Sequence, residues 1–182
     1  MSTQATQESE AGVDGDSYSP LLAGITGRPL PPLSLPSTTG LQIDLVEVQR
    51  AVLYFYPGAM WAPEGGDDSR ALDEAQHRAF ADHWHELLSL NCLAFGISSQ
   101  SADEQSLTAA ALGLGQPLLC DSDRRLAGEL GLPTFVVDRA SWYCRLTMVV
   151  DDGAIAQVFY PVTSAVGSPA QAVGWMRRSW WT

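Results

Sequence analysis

Apolar positions in this chain fall into short unbroken runs separated by stretches of helical spacing. Residues 52–56 (Val-Leu-Tyr-Phe-Tyr) form a β-branched and aromatic run that Pro57-Gly58 ends, and 93–98 and 146–150 are two more. Runs this short and continuous predict strands buried on both faces. Asp151-Asp152-Gly153 predicts a tight turn into a further strand at 154–160. Apolar spacing fits helices over about 70–90, 102–112, 123–130 and 169–178. The last has Ser168 as its expected N-cap and Pro169 at its first helical position. Upstream, 30–36 reads as an extended lead-in, and Thr39-Gly40 marks a turn before the alternating stretch 41–45, which predicts a small hairpin. Strand–helix–strand units followed by a terminal hairpin and helix predict an α/β domain, a central mixed sheet covered by helices.

Composition narrows this picture. With 182 residues, 46% of them apolar, the chain can bury one substantial core. Residues 1–19 are rich in Ser, Gln, Gly, Asp and Glu and are expected to be disordered, leaving 20–182 as a single domain. A net charge of −11 speaks against nucleic acid or an anionic membrane as partner, because their phosphates would be repelled. The ten basic residues are all arginine, which excludes a lysine Schiff base. Cys92, Cys120 and Cys144 have neither metal-ligand spacing nor a C-x-x-C, and their odd number speaks against a secreted disulfide framework. The first 18 residues lack a basic and then apolar leader pattern, and no apolar run approaches the roughly 18 residues of a membrane span. A cytoplasmic protein is the expectation.

Six segments then occur in a telling order: Leu33-Ser34-Leu35-Pro36 with Gly40, Leu53-Tyr54-Phe55-Tyr56-Pro57, Ala79-Phe80-Ala81-Asp82-His83, Ala94-Phe95-Gly96-Ile97-Ser98, Pro117-Leu118-Leu119-Cys120-Asp121, and Arg145-Leu146-Thr147-Met148-Val149-Val150-Asp151. Over roughly 28–178 this order resembles the thioredoxin-fold peroxiredoxins of the AhpC/TSA superfamily, most of all the bacterioferritin-comigratory or Q-type branch. The resemblance implies a thioredoxin-like fold with an N-terminal hairpin, and makes Arg145 the counterpart of the family's active-site arginine. It departs at the catalytic loop. Counting back from Ala79-Phe80 puts the peroxidatic cysteine's position on Asp73 and the nearby resolving position on Arg78. Gln76 keeps the acidic-or-Gln position between them. Counting forward from Pro57 puts the nucleophile on Glu64 instead. Neither count gives a cysteine, and Arg70 stands where the family's threonine would precede it. Between Gly58 and Asn91 there is no thiol at all.

A 100° wheel places Phe80, Trp84, Leu87 and Leu88 on the helix's buried face, with Asp73 and His77 one turn apart on the same side and Arg70 at its edge. Asp73 and His77 could work as an acid/base pair, or the carboxylate could simply favour the positive helix end and pair with the imidazole for stability. The expected catalytic group is Arg145, Asp73, His77 and Tyr56, with Arg145 binding substrate. Met60 and Trp61, on the lengthened loop after Pro57, are candidate ligand contacts together with Arg70 and Glu64. Asp67, Asp68 and Glu64 match no established metal-ligand spacing, so no metal is expected, and the expected enzyme would need no bound redox cofactor. A relocated thiol is a further candidate, although no cysteine sits at a helix N-terminus, where its pKa would fall. The expected function is a peroxiredoxin-type enzyme without ordinary thiol peroxidase chemistry, acting on a small organic molecule in bacterial specialised (natural-product) metabolism. A homodimer is expected. The alternatives are a non-catalytic binding or assembly subunit, and an atypical peroxidase with a relocated cysteine.

Overall fold

In the computed structural model, residues 22, 24–58 and 69–180 are described. The N-terminal segment expected to be disordered, and the candidate ligand contacts Met60, Trp61 and Glu64, lie outside them. Strands β1 (Ser34–Pro36) and β2 (Gln42–Asp44) pair antiparallel as the small hairpin that Thr39-Gly40 announced. The main sheet is built on β3 (Ala51–Phe55). On one side β3 pairs in parallel with β4 (Leu93–Ser98), which pairs in parallel with β5 (Leu118–Cys120). On the other it pairs antiparallel with β8 (Leu146–Asp151), which is followed through the Asp152-Gly153 turn by β9 (Ala154–Phe159). The order is β5-β4-β3-β8-β9. A separate hairpin, β6 (Thr134–Val137) with β7 (Ala140–Tyr143), precedes β8.

A short 3-10 helix (Leu45–Glu47) follows β2, and the sheet is joined by the α-helices α1 (Ser69–Asp82), α2 (Trp84–Ser89), α3 (Ala102–Leu112), α4 (Arg125–Leu130) and α5 (Ser168–Trp180). The central strand explains the layering. Every residue of β3 is buried, and their alternation divides the core in two. Ala51, Leu53 and Phe55 join the cluster with Leu126, Tyr143 and Leu146, while Val52, Tyr54 and Tyr56 join Phe80, Leu87 and Met176 on the opposite face.

Two expectations need correction. The single helix over 70–90 is broken at His83, whose backbone (φ −91°, ψ 4°) separates α1 from α2. Across the break Phe80 and Leu87 are buried as expected, but Leu88 is 43% exposed. Ser168 is the first residue of α5 rather than its cap, and its hydroxyl donates to the Ser164 carbonyl (3.1 Å). Among the described residues no helix is long and apolar enough to cross a membrane.

Candidate functional site

The site lies where β3 runs out at Tyr56-Pro57-Gly58 and α1 begins, at the carboxyl ends of the parallel strands, where open α/β sheets bind ligands. Strand alternation sends Tyr54 and Tyr56 toward α1, and the 3.6-residue helical period stacks Asp73, His77 and Phe80 on the face that meets them. The Tyr54 ring lies flat on Phe80 (centroids 3.9 Å apart), and the Tyr56 ring meets the His77 imidazole edge-on at 4.4 Å. Gly96 on β4 makes room for this. A Cβ there would come within 2.7 Å of the Tyr54 hydroxyl and 2.6 Å of Leu118.

Asp73 is 6% exposed and anchored at both oxygens. Oδ1 lies 2.8 Å from Nη2 of Arg145, and Oδ2 accepts from the Gly58 backbone N–H at 3.0 Å. Gly58 has φ +68°, a conformation that favours glycine, and a Cβ there would also run into Gln100 at 2.5 Å. The other arm of Arg145 donates from Nη1 to Gln76 Oε1 (2.7 Å). Arg145 itself is 5% exposed and stands just ahead of β8.

His77 is 1% exposed, and its Nδ1 lies 3.0 Å from the Tyr54 hydroxyl. Gln116 donates from Nε2 to the His77 carbonyl (2.8 Å) and to the Tyr54 hydroxyl (3.4 Å). Burial, and secondarily the Arg145 charge, push the imidazole down to about 3, so it is neutral at physiological pH. Burial pushes both tyrosine hydroxyls up, keeping them protonated. Tyr56 accepts from Gln105 Nε2 (3.2 Å), which also donates to Ser98 Oγ and the Leu119 carbonyl.

These side chains border a cavity of about 320 Å³. Tyr56, Gly58, Asp73 and His77 form one wall, Arg70 and Glu74 the next turn of the rim, and Gln100, Glu104, Leu107 and Thr108 the far side. Arg70 reaches Glu74 (3.4 Å) on the surface. Glu104 is held below its usual range by hydrogen bonds from the Ser101 side chain and backbone.

Asp73, His77, Tyr56 and Arg70 therefore meet at one cavity. Arg145 stands behind Asp73 and is absent from the cavity wall, so it touches the site through that carboxylate. Tyr54, Gln116, Gln105 and Glu104 were missed. Tyr54 shares the face of β3 with Tyr56, two residues on, so strand alternation would have paired the two. Gln116, ahead of Pro117 in a loop, carried no pattern. A larger cleft, about 590 Å³, opens at the opposite end of β3 and β4, between Ile43, Val48, Leu88 and Phe95.

The three thiols are all buried and none bridges another. Burial pushes Cys92 up to about 12, which removes thiolate character. Cys120 donates to the Gln100 carbonyl at 3.1 Å. Among the described residues no group of three His, Cys, Asp or Glu side chains is placed to hold a metal ion.

Comparison with known proteins places this geometry in context. A family model described as the AhpC/TSA family matches residues 26–158. A Mycobacterium tuberculosis protein provisionally named a peroxiredoxin is 29% identical over 142 residues, covering 75% of this chain and 85% of the relative. Among solved structures, the peroxidoxin BcpB of M. tuberculosis superposes with a TM-score of 0.70 at 23% identity, covering 85% of this chain and 97% of that one. A cysteine-to-serine mutant of Xylella fastidiosa PrxQ gives 0.69 at 19% identity, with 84% and 95% covered. The bacterioferritin comigratory protein of Xanthomonas campestris gives 0.65 at 20%, with 80% and 90% covered. At these identities the structural matches show the fold, which is the thioredoxin-like fold of peroxiredoxins.

Proposed function

The chain belongs to the AhpC/TSA family, and from that premise we propose that it is an enzyme for a small organic molecule which does not use the family's thiolate chemistry. One observation carries the reading. The Asp73 carboxylate sits between the Arg145 guanidinium and the Gly58 N–H at the edge of the cavity, and it is one of the two positions, with Glu64, that the resemblance offers for the peroxidatic sulfur. Reduction of a peroxide needs a nucleophile that can accept the peroxide's oxygen and later be reduced, and a carboxylate offers neither.

On this reading Arg145 positions Asp73, and Asp73, His77 and Tyr56 form the wall against which the ligand rests. An imidazole that protonates only near pH 3 is a poor general base at neutral pH. A neutral imidazole serves better as a hydrogen-bonding group that polarises a ligand. The chemistry expected of His77 is therefore orientation and polarisation rather than proton abstraction. A homodimer, a cytoplasmic location and a place in bacterial specialised metabolism belong to the same proposal.

Metabolite profiling tests the enzyme reading. A small-molecule extract is incubated with the protein, with Asp73→Asn and with His77→Gln. A compound consumed by the wild type and spared by both variants supports it, and an unchanged extract contradicts it.

A thiol-dependent peroxidase is the competing reading, favoured by the bond from Cys120 to Gln100, a residue of the cavity wall. Against it, the thiol is the donor in that bond and is 8% exposed.

A further inference from the structure

We infer that Gln116 and Tyr54 fix His77 as the Nε2–H tautomer, so that the cavity offers a neutral N–H donor to a ligand bearing an uncharged acceptor oxygen such as a ketone or amide carbonyl. The inference rests on reading the cavity as a small-molecule site and names the class of molecule it takes.

The direction of each proton follows from the bonds around Tyr54. The Gln116 atom 2.8 Å from the His77 carbonyl oxygen must be its amide nitrogen, because two carbonyl oxygens would repel. That same nitrogen turns its second hydrogen toward the Tyr54 hydroxyl at 3.4 Å. The hydroxyl thus accepts from Gln116 and has one proton to give. Nδ1 of His77, 3.0 Å away, is the partner the structure provides for it. A ring accepting at Nδ1 in its neutral state carries its proton at Nε2. The low proton affinity of the buried imidazole agrees with this.

The consequence is a donor in need of an acceptor. Among the described residues the buried Nε2 has no hydrogen-bond partner, and His77 is one of the side chains that line the cavity. A buried polar group left unsatisfied is costly, and the ligand that supplies an acceptor removes that cost.

Charge then sorts the acceptors. Asp73, Glu74 and Glu104 border the cavity, and Arg70 is the cationic side chain on its wall, with Nε directed at Glu74. Arg145 is turned to Asp73 and Gln76. A carboxylate ligand would meet these carboxylates, whereas an uncharged carbonyl takes the N–H without repulsion. Leu107, 73% exposed at the rim, gives an apolar part of such a ligand something to cover.

The test is nitrogen NMR of the imidazole rings in the full-length protein. The chain has three histidines, and a His83→Gln/His85→Gln variant leaves the His77 signals alone. The expected spectrum shows a proton on Nε2 and none on Nδ1 at neutral pH. Acetophenone, benzoate and ethylbenzene are then titrated as probes of nearly equal shape. Acetophenone should move the Nε2–H signal and bind about tenfold more tightly than either of the others.

Tyr54→Phe keeps the ring on Phe80 and removes the hydroxyl. It should give mixed tautomers and lose the preference of acetophenone over ethylbenzene. If that variant does not fold, the wild-type tautomer and the probe order decide alone. A proton on Nδ1, a charged ring at neutral pH, no acetophenone binding, or equal affinity for the three probes would overturn the inference. Thiol-dependent peroxide reduction would instead sink the small-molecule reading and leave the tautomer standing.

Discussion

The Asp73 carboxylate and the Arg145 guanidinium meet at 2.8 Å with both side chains more than nine-tenths buried, so each is the condition for burying the other. A desolvated charge that loses its partner costs far more than the pair contributes. Arg145→Met should therefore lower stability by about 3 kcal/mol or more, read as the urea midpoint with an unchanged slope. Adding Asp73→Asn removes the stranded charge and keeps an acceptor for the Gly58 N–H. The double variant should be more stable than Arg145→Met alone.

His77 makes stability depend on pH. Its folded pKa, about 3, lies below the ordinary 6.5, so between those values the unfolded chain binds a proton that the folded chain refuses. The contribution is fully present above about pH 6.5 and is lost as pH falls toward 3, at about 1.4 kcal/mol per pH unit. His77→Gln should flatten the stability profile across that window. An unchanged slope would mean that the ring is not held neutral.

Gly96→Ala tests the packing that holds the site in place. The added methyl would fall 2.6 Å from Leu118 Cδ2 and 2.7 Å from the Tyr54 ring and hydroxyl. Something must move, at a cost of about 1–3 kcal/mol. Tyr54 is bonded to His77, so the His77 ring resonances should shift with it although position 96 lies on another strand.

Tyr143 serves stability away from the cavity. Its hydroxyl donates to Asp121 Oδ2 at 2.6 Å and accepts from the Ala127 N–H at 3.0 Å, while Asp121 also accepts from the Arg125 and Leu126 N–H groups at the start of α4. Tyr143→Phe should cost about 1–3 kcal/mol in thermal or urea unfolding. Acetophenone binding at the cavity should not change.

The sequence showed the sheet more readily than the site. Buried strands announce themselves as continuous apolar runs, and β3, β4 and β8 were legible for that reason. The β6–β7 hairpin was not, because Val136 is 70% exposed and its strand is not a core run. The break between α1 and α2 left no Gly or Pro to mark it, since His83 adopts the bridging conformation itself. Within the site, Asp73 and His77 were found by helical spacing and Tyr56 by its strand. Arg145 was placed by resemblance as a ligand contact, and the structure sets it behind Asp73 instead. Spacing says which face a side chain occupies but not which neighbour reaches it first.

Under the proposed function, Asp73 takes the place where a peroxidase would hold its thiolate, and no other thiol takes over. Peroxide consumption in the presence of a thiol reductant tests it most directly, comparing the wild type with the Cys92→Ser/Cys120→Ser/Cys144→Ser variant. Equal rates, neither above the reductant alone, are expected. Faster consumption by the wild type, abolished in the cysteine-free variant, would contradict it.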